Sequence, residues 1–391
     1  MKGNLIHYVT KTIIYIPDII KYIFAIVVSS FYRKNNIWLL CERGTDARDN
    51  AFCFFQYLID NHKDVNAYYL ISIDSPDRKR LLKYERKIIR YGSFKHYVFY
   101  CRASVLISTH IHGYAPNVNL FDRLDKIFSI NRNKFTVSLK HGVTKDYIPV
   151  LNYEYSKLNL LVCAASPEYE YMKKTYGYPK NNLQYLGFCR FDRLHNLPSV
   201  KRQILIMPTW RSWLKDEDFK LSDYYKYYNE LLNNDVFLEY TKNQKYQIIF
   251  YPHHEIQPYV HLFKTKCNYN HLIIADKYHY DVQELLKESA LLITDYSSVF
   301  FDFAYMKKPV IFYQFDFKKY RNNHYSKGYF DYEDSFGPVT HDVIELLSEI
   351  KNAINEQCKM PLVYLKKVEE FFPLYDNNNC KRIYEYIRLN S

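Results

Sequence analysis

Leu291-Leu292-Ile293-Thr294-Asp295-Tyr296-Ser297-Ser298-Val299-Phe300-Phe301-Asp302-Phe303-Ala304 opens as an apolar run, breaks into small hydroxyl and acidic residues, and resumes as a helix. A short run that is apolar at every position, without polar alternation, reads as a strand buried on both faces, which belongs to a parallel sheet covered by helices. Where that strand turns through Ser297 and Ser298 into the helix, free N–H groups, the helix dipole and two hydroxyls can all point at one phosphate. Asp302 lies one helical turn after Ser298 on the same face, suited to accept hydrogen bonds from a ribose diol. Asp295, Ser297 and Ser298 are also good helix caps, so this segment alone leaves both readings open.

The same alternation extends in both directions. Upstream, Ile37-Trp38-Leu39-Leu40-Cys41 runs into a polar loop and a helix, and 67–71, 105–108 and 134–139 are further strands, separated by stretches such as 79–91 that suit helices. A polar stretch at 195–202 interrupts the pattern, which restarts at 203–208 and continues with strands at 247–251, 272–275, 291–294 and 309–313 and a helix at 281–289. Repeated strand–helix alternation on both sides of a break predicts two α/β domains in tandem, each with a parallel sheet. The domain expectation is an amphipathic segment at 1–35, a first α/β domain at 36–195, a second at 196–362, and terminal helices at 363–391, broken near Pro373, that close back on the first domain. Ligands on open α/β sheets bind beyond the carboxyl ends of the strands, so the expected site is the cleft between the domains.

Composition narrows the function. The chain has 391 residues and a net charge of +12, a length that divides into two or three cores. Only 9 residues are Gly, and neither G-x-G-x-x-G nor G-x-x-x-x-G-K-[ST] occurs, which disfavours dinucleotide and P-loop phosphate sites. The 8 cysteines are scattered singly with no C-x-x-C pair, so neither a structural zinc site nor a disulfide framework is expected, and the thiols read as reduced and cytoplasmic. Residues 1–36 hold Lys2, Lys11, Lys21, Arg33 and Lys34 against the single acid Asp18. Their longest apolar run is about half of the ~20 residues a spanning helix needs. They suit a helix lying in the headgroup region of an anionic membrane, with a first helix packed on the protein's own core as the alternative.

Three further strand ends carry candidate chemistry. Met207-Pro208-Thr209-Trp210-Arg211 offers a guanidinium fork for a diphosphate, or a surface Arg stacked on Trp210 or Trp213. Tyr251-Pro252-His253-His254 offers in His253 a catalytic candidate that can donate to phosphate oxygens and stabilise a leaving group; adjacent strand side chains point to opposite faces, so the pair is a poor metal site. Lys140-His141-Gly142 allows close backbone approach at Gly142 and a general base at His141, or a structural His, with His110 and His112 as weaker candidates for the same cleft. Arg190 and Asp192 read as a structural pair, and Asp216-Glu217-Asp218 as a solvated helix start rather than a cation site.

These segments, in this order, resemble the CDP-glycerol glycerophosphotransferase family of teichoic-acid and capsule synthesis. Met207 to Arg211 is similar to its P-T-W-R element, Thr294 to Ser298 to T-D-Y-S-S, and Phe301 to Ala304 to F-D-F-A. Lys308 to Tyr313 with Asp316 and Tyr320 is similar to K-P-I-x-F-Y…D…Y, and Gly337-Pro338 to a late G-P. His141-Gly142 resembles H-G-T-P, with Val143-Thr144 in place of Thr-Pro, and Pro252-His253 resembles P-H-P, with His254 in place of the second proline. The resemblance implies a GT-B-like fold, two Rossmann-like domains facing a central cleft. It implies His141 as the base toward an acceptor hydroxyl, and His253, Arg211, Thr209, Ser297 and Ser298 holding the donor diphosphate, with Thr294 and Gly142 beside them and Asp302 on the ribose. No metal or cofactor is expected. The donor would be CDP-glycerol, or CDP-ribitol in the same family, and the acceptor a polyprenyl-diphosphate-linked or polysaccharide hydroxyl at an anionic membrane face. Two other classes compete: a GT-B nucleotide-sugar glycosyltransferase, and a basic nucleic-acid-binding protein, for which no recognisable module is present.

Overall fold

The computed structural model describes residues 2–32, 36–195, 199–215, 218–265, 269–323 and 326–391, with side chains of the first helix described from Ile14 on. Two all-parallel sheets organise it. The first contains β1 (Ile37–Cys41), β2 (Asn66–Ile71), β3 (Ile88–Arg90), β4 (Val105–Ser108), β5 (Phe135–Ser138), β6 (Leu160–Cys163) and β7 (Leu183–Tyr185), in the order β3-β2-β1-β4-β5-β6-β7. The second contains β8 (Gln203–Ile206), β9 (Gln247–Phe250), β10 (Leu272–Ile274), β11 (Leu291–Thr294), β12 (Val310–Tyr313) and β13 (Val339–Thr340), in the order β10-β9-β8-β11-β12-β13. The central strands β1, β4, β8, β11 and β12 are buried at every position, as their predominantly apolar runs, polar only at the end residues Ser108, Gln203 and Thr294, require of a doubly covered sheet. In each sheet the order reverses once, between β1 and β4 and between β8 and β11, and such switch points open a crevice at the strands' carboxyl ends.

The stretch 79–91, expected as a helix, is instead a run of 3-10 turns over Pro76–Lys87 that gives way to β3. Its Lys/Arg-rich sequence has no continuous apolar stripe to pack, whereas Ile88 and Ile89 can pair with Tyr69 and Leu70 at the sheet edge.

The amino-terminal helix Lys2–Ser30 has two apolar faces. Tyr15, Ile19, Tyr22, Ala25 and Val28 pack on the first domain, and Asp18 accepts hydrogen bonds from Tyr97 (2.7 Å) and Asn117 (2.7 Å). Ile16, Ile20, Ile23, Phe24, Val27 and Phe31 are exposed along the other side. Among the described residues no helix is long and apolar enough to cross a membrane.

The chain passes between the domains twice. The first passage follows β7; the second brings the chain from the second domain back to the carboxy-terminal helix Asn379–Asn390, whose Cys380, Ile383 and Ile387 join the first core beside Trp38. The two passages are bound to each other. Asp192 accepts from the backbone N–H of Asn379 (2.9 Å) and Cys380 (2.8 Å), Arg382 donates to the Leu186 carbonyl (3.0 Å), and Tyr185 accepts from Leu374 N–H (3.1 Å). Asp192 therefore caps the last helix and is not the partner of Arg190 expected from sequence. Gly187 sits against Asn379 with φ +81°, so close that a Cβ there would lie 1.8 Å from the Asn379 Oδ1.

Candidate active site between the two sheets

On the first sheet, β5 ends in a loop wound around one buried carboxylate. Lys140 takes a left-handed conformation (φ 52°) and pairs with Glu168, which also accepts N–H groups of Thr144 and Ala164, the latter at 2.8 Å. This holds the loop so that His141 projects from its outer end. Asn50 fastens the same loop to the domain junction: its amide donates to the Lys140 carbonyl (2.8 Å) and accepts from Arg190 N–H (3.0 Å).

His141 keeps solvent access, while surrounding protein still desolvates its ring. That desolvation, followed by the charges of Arg190 and Arg43, draws its pKa down to about 4, with the Thr109 carbonyl opposing. His110, at the end of neighbouring β4, lies flat against it, ring centroids 4.6 Å apart and planes 5° from parallel. His112 does not join them: it is buried, with Nδ1 3.1 Å from Asp122.

On the second sheet the ends of β9, β8 and β11 lie side by side and carry His253, Thr209 and Ser297-Ser298 in that order. His253 is half-buried, its ring 6.3 Å from that of Trp210. The Thr209 N–H is held by Asp295 (2.8 Å). Ser297 and Ser298 are half-buried, and Ser298 opens the helix Val299–Tyr305 without its side chain capping it, so both hydroxyls remain available. The two domains touch here. A Cβ on Gly142 would stand 2.8 Å from the Ser298 Oγ, so glycine lets the His141 loop approach the Ser298 turn with that hydroxyl in its present position.

Three expected ligands of the donor are committed elsewhere. Arg211 is 0% exposed and turned into the second domain. It donates to both oxygens of Asp316 (2.6 and 3.0 Å), to Asp295 (2.9 Å) and to the Thr209 carbonyl (3.0 Å), so its fork already holds carboxylates where a diphosphate was expected. Asp302 is likewise spent, in a bidentate pair with Arg190 (2.6 and 2.8 Å) that bridges the domains, and a ribose diol would have to displace a guanidinium. The Thr294 hydroxyl is buried and donates to the Met207 carbonyl (2.7 Å), locking β11 to the end of β8. These residues build the floor of the site rather than its surface.

Sequence reasoning passed over several groups that shape it. Arg43, exposed after β1 and paired with Asp46, projects its charge on His110, His141 and His254 alike, which places it at the mouth of the cleft. Arg190, read as a local structural residue, also pairs with Asp49 (2.9 Å). A second bridge joins Arg80 and Arg48 of the first domain to Asp281 of the second. Asp216 and Glu217 lie outside the described residues; Asp218 caps a 3-10 turn through Lys220 N–H (3.0 Å). Among the described residues no three His, Cys, Asp or Glu side chains gather as a metal site.

Comparison with known proteins agrees with this layout. The structure of the wall teichoic acid polymerase TagF superposes with a TM-score of 0.69 at 19% identity, covering 98% of each chain, which supports the shared two-domain GT-B-like fold. In sequence, the chain is 36% identical over 375 residues to the minor teichoic acid biosynthesis protein GgaB of Bacillus subtilis, covering 92% of this chain and 40% of that protein. It is 29% identical over 344 residues to a teichoic acid poly(glycerol phosphate) polymerase of Bacillus spizizenii, covering 78% of this chain and 80% of the relative. The chain thus spans less than half of GgaB and most of the second relative. The family model for CDP-glycerol:poly(glycerophosphate) glycerophosphotransferase matches residues 22–389, so nearly the whole molecule, both sheets and the cleft between them, belongs to the CDP-glycerol:poly(glycerophosphate) glycerophosphotransferase family.

Proposed function

We propose that the chain transfers glycerol phosphate from CDP-glycerol to a hydroxyl of a lipid-linked or polysaccharide acceptor in teichoic-acid or capsule synthesis. The observation that supports this reading is the approach of Gly142 to Ser298 across the cleft, which brings the loop that carries His141 against the hydroxyl-bearing turn of the other domain. In the proposed step the acceptor oxygen attacks the β-phosphorus, which bears the glycerol. A new O–P bond forms, the bond from that phosphorus to the bridging oxygen breaks, CMP leaves with the electron pair, and the acceptor proton passes to His141. Ser297, Ser298, the Thr209 hydroxyl and His253 hold the diphosphate, and Arg43 adds charge from the opposite wall. Phosphoryl transfer asks mainly for alignment and charge neutralisation, and these donors supply both without a resident metal or cofactor.

CDP-ribitol presents the same CDP half, so the polyol is decided by experiment. CMP release is measured from CDP-glycerol and CDP-ribitol separately, with detergent-solubilised lipid extract of the host as acceptor. Release from CDP-glycerol alone is expected. Silence with both donors, together with nucleoside diphosphate release from a nucleotide-sugar panel, would overturn the reading in favour of a glycosyltransferase.

The exposed stripe of the amino-terminal helix supports a peripheral position on the inner face of an anionic membrane, in the cytoplasm. Ile23→Glu and Phe24→Glu, at positions 55% and 61% exposed, should abolish flotation with vesicles containing anionic lipid while leaving the melting temperature unchanged. Unchanged flotation would remove the membrane from the proposal.

A further inference from the structure

His110 is a polar group in the cleft that the proposed reaction leaves unused. It follows β4, which lies beside β5 in the sheet, so the backbone itself brings the two strand ends together. Its Nδ1 is 3.0 Å from the Thr109 hydroxyl, and the Glu42 carbonyl faces the ring. The two imidazoles are stacked, 4.6 Å between centroids at 5°. A parallel pair at this spacing is an offset stack, one of the favoured arrangements between aromatic rings, and each ring is held in addition by a hydroxyl or carbonyl partner. The Thr109 residue serves both: its hydroxyl meets His110, and its carbonyl lies against His141.

We propose that His110 is a positioning residue for His141: its ring covers one face of the His141 imidazole, fixes the plane in which the base meets the acceptor hydroxyl, and keeps water off that face. This rests on the reading of His141 as the base. Charge considerations agree. Arg43 from the loop after β1 acts on both rings, Arg190 from the junction and Lys140 from the neighbouring turn act on His141, and two stacked imidazoles resist becoming charged together. Burial, His141 and Arg43 bring His110 down to about 3, so it stays neutral beside its partner across the working range.

Three variants test this, using full-length protein, CDP-glycerol and host lipid extract, with CMP release as the readout. His110→Ala is expected to lower kcat about 10- to 100-fold, the scale of a misplaced catalytic group, with KM for CDP-glycerol within about twofold. Its acid limb in kcat/KM should move upward by about one pH unit, because water then reaches the base. His110→Phe keeps a flat ring without its nitrogens and should recover most of the rate and the original limb. His141→Asn runs alongside and should be nearly inactive. Wild-type kcat and pH profile in His110→Ala, with His141→Asn dead, would overturn the positioning role alone. Should His110→Ala not fold, a His110→Phe variant as slow as His141→Asn would overturn it by showing that the ring nitrogens matter. An active His141→Asn would overturn the base reading and this inference together.

Discussion

Replacing Gly142 by alanine should damage catalysis without damaging the fold. The backbone at Gly142 needs no left-handed conformation, so the cost of the added methyl lies in what it meets: the Ser298 Oγ at 2.8 Å and the Ser298 Cβ at 3.4 Å. The first contact is too short to persist, but that hydroxyl caps nothing and can rotate away, so the stability loss should stay below about 1 kcal/mol. The rotated hydroxyl no longer faces the cleft. A hydrogen bond to a charged phosphate oxygen contributes about 1.5–3 kcal/mol, so kcat/KM for CMP release should fall by about 10- to 150-fold. Ser298→Ala should lose the same amount by deleting the oxygen directly. The double variant is the decisive measurement, since the 2.8 Å clash vanishes with the oxygen and only a tight 3.4 Å contact remains. Its loss should match either single variant, giving a coupling energy of about 1.5–3 kcal/mol in the cycle. Losses that multiply, or a Gly142→Ala enzyme with wild-type kcat/KM, would refute a shared site across the cleft.

Arg211→Met should destabilise the protein by about 3–5 kcal/mol, since it strands Asp295 and Asp316 without their guanidinium; a folded variant with only a raised KM would instead restore Arg211 as a donor ligand. Gly187→Ala should lower thermal stability by about 2 kcal/mol or more, from the φ of +81° together with the clash against Asn379, which its bonds to Asp192 and Arg382 prevent from moving aside; an unchanged melting temperature would contradict this. In free enzyme the base should stay neutral down to about pH 4, so kcat/KM should hold level from pH 7 to about 5 and fall only near 4, while bound diphosphate raises the His141 pKa and moves the kcat limb upward; a kcat/KM limb near 6.5 would refute the assignment. His96 is buried between Gly92 N–H (3.1 Å) and the Tyr114 carbonyl (2.8 Å), and burial holds it near 4 against 6.5 when unfolded. Because the unfolded chain takes the proton first, its contribution to stability is intact above about pH 6.5 and is lost as pH falls toward 4, by about 3 kcal/mol; His96→Gln in denaturant melts at both pH values should remove that dependence.

Most strands that could be read from sequence are those buried on both faces, because such burial favours apolar residues at nearly every position, although the partly exposed edge strand β10 is legible as well from Leu272-Ile273-Ile274. β3, β6, β7 and β13 gave weaker signals: β3, β7 and β13 are short edge strands with exposed or partly exposed positions, and β6 is a brief run between helical stretches. The site divides along a similar line. Gly142, Ser297 and Ser298 could be placed because strand-end chemistry is local. The fates of Arg211 and Asp302 could not, because their partners Asp316 and Arg190 lie over a hundred positions away in sequence and only the folded chain brings them near. An arginine in a motif looks the same whether it faces a substrate or a buried acid. What distinguishes the cases is a second carboxylate aimed at the same fork, and for Arg211 that was Asp316, already visible within the motif that follows β12.

The paired passages between the domains set the mechanics of the cleft. Two covalent connections far apart would brace the halves rigidly, and a single one would let them swivel. Here the two run together and are riveted by Asp192, Arg382 and Tyr185, so they act as one spine. Relative motion then has one soft axis, about that spine, and the Arg190 and Arg80 bridges are the latches that must let go for the cleft to open along it. A chain nicked between Ser199 and Arg202 would therefore still travel as a single particle, its two pieces held by the second passage and hinged as before.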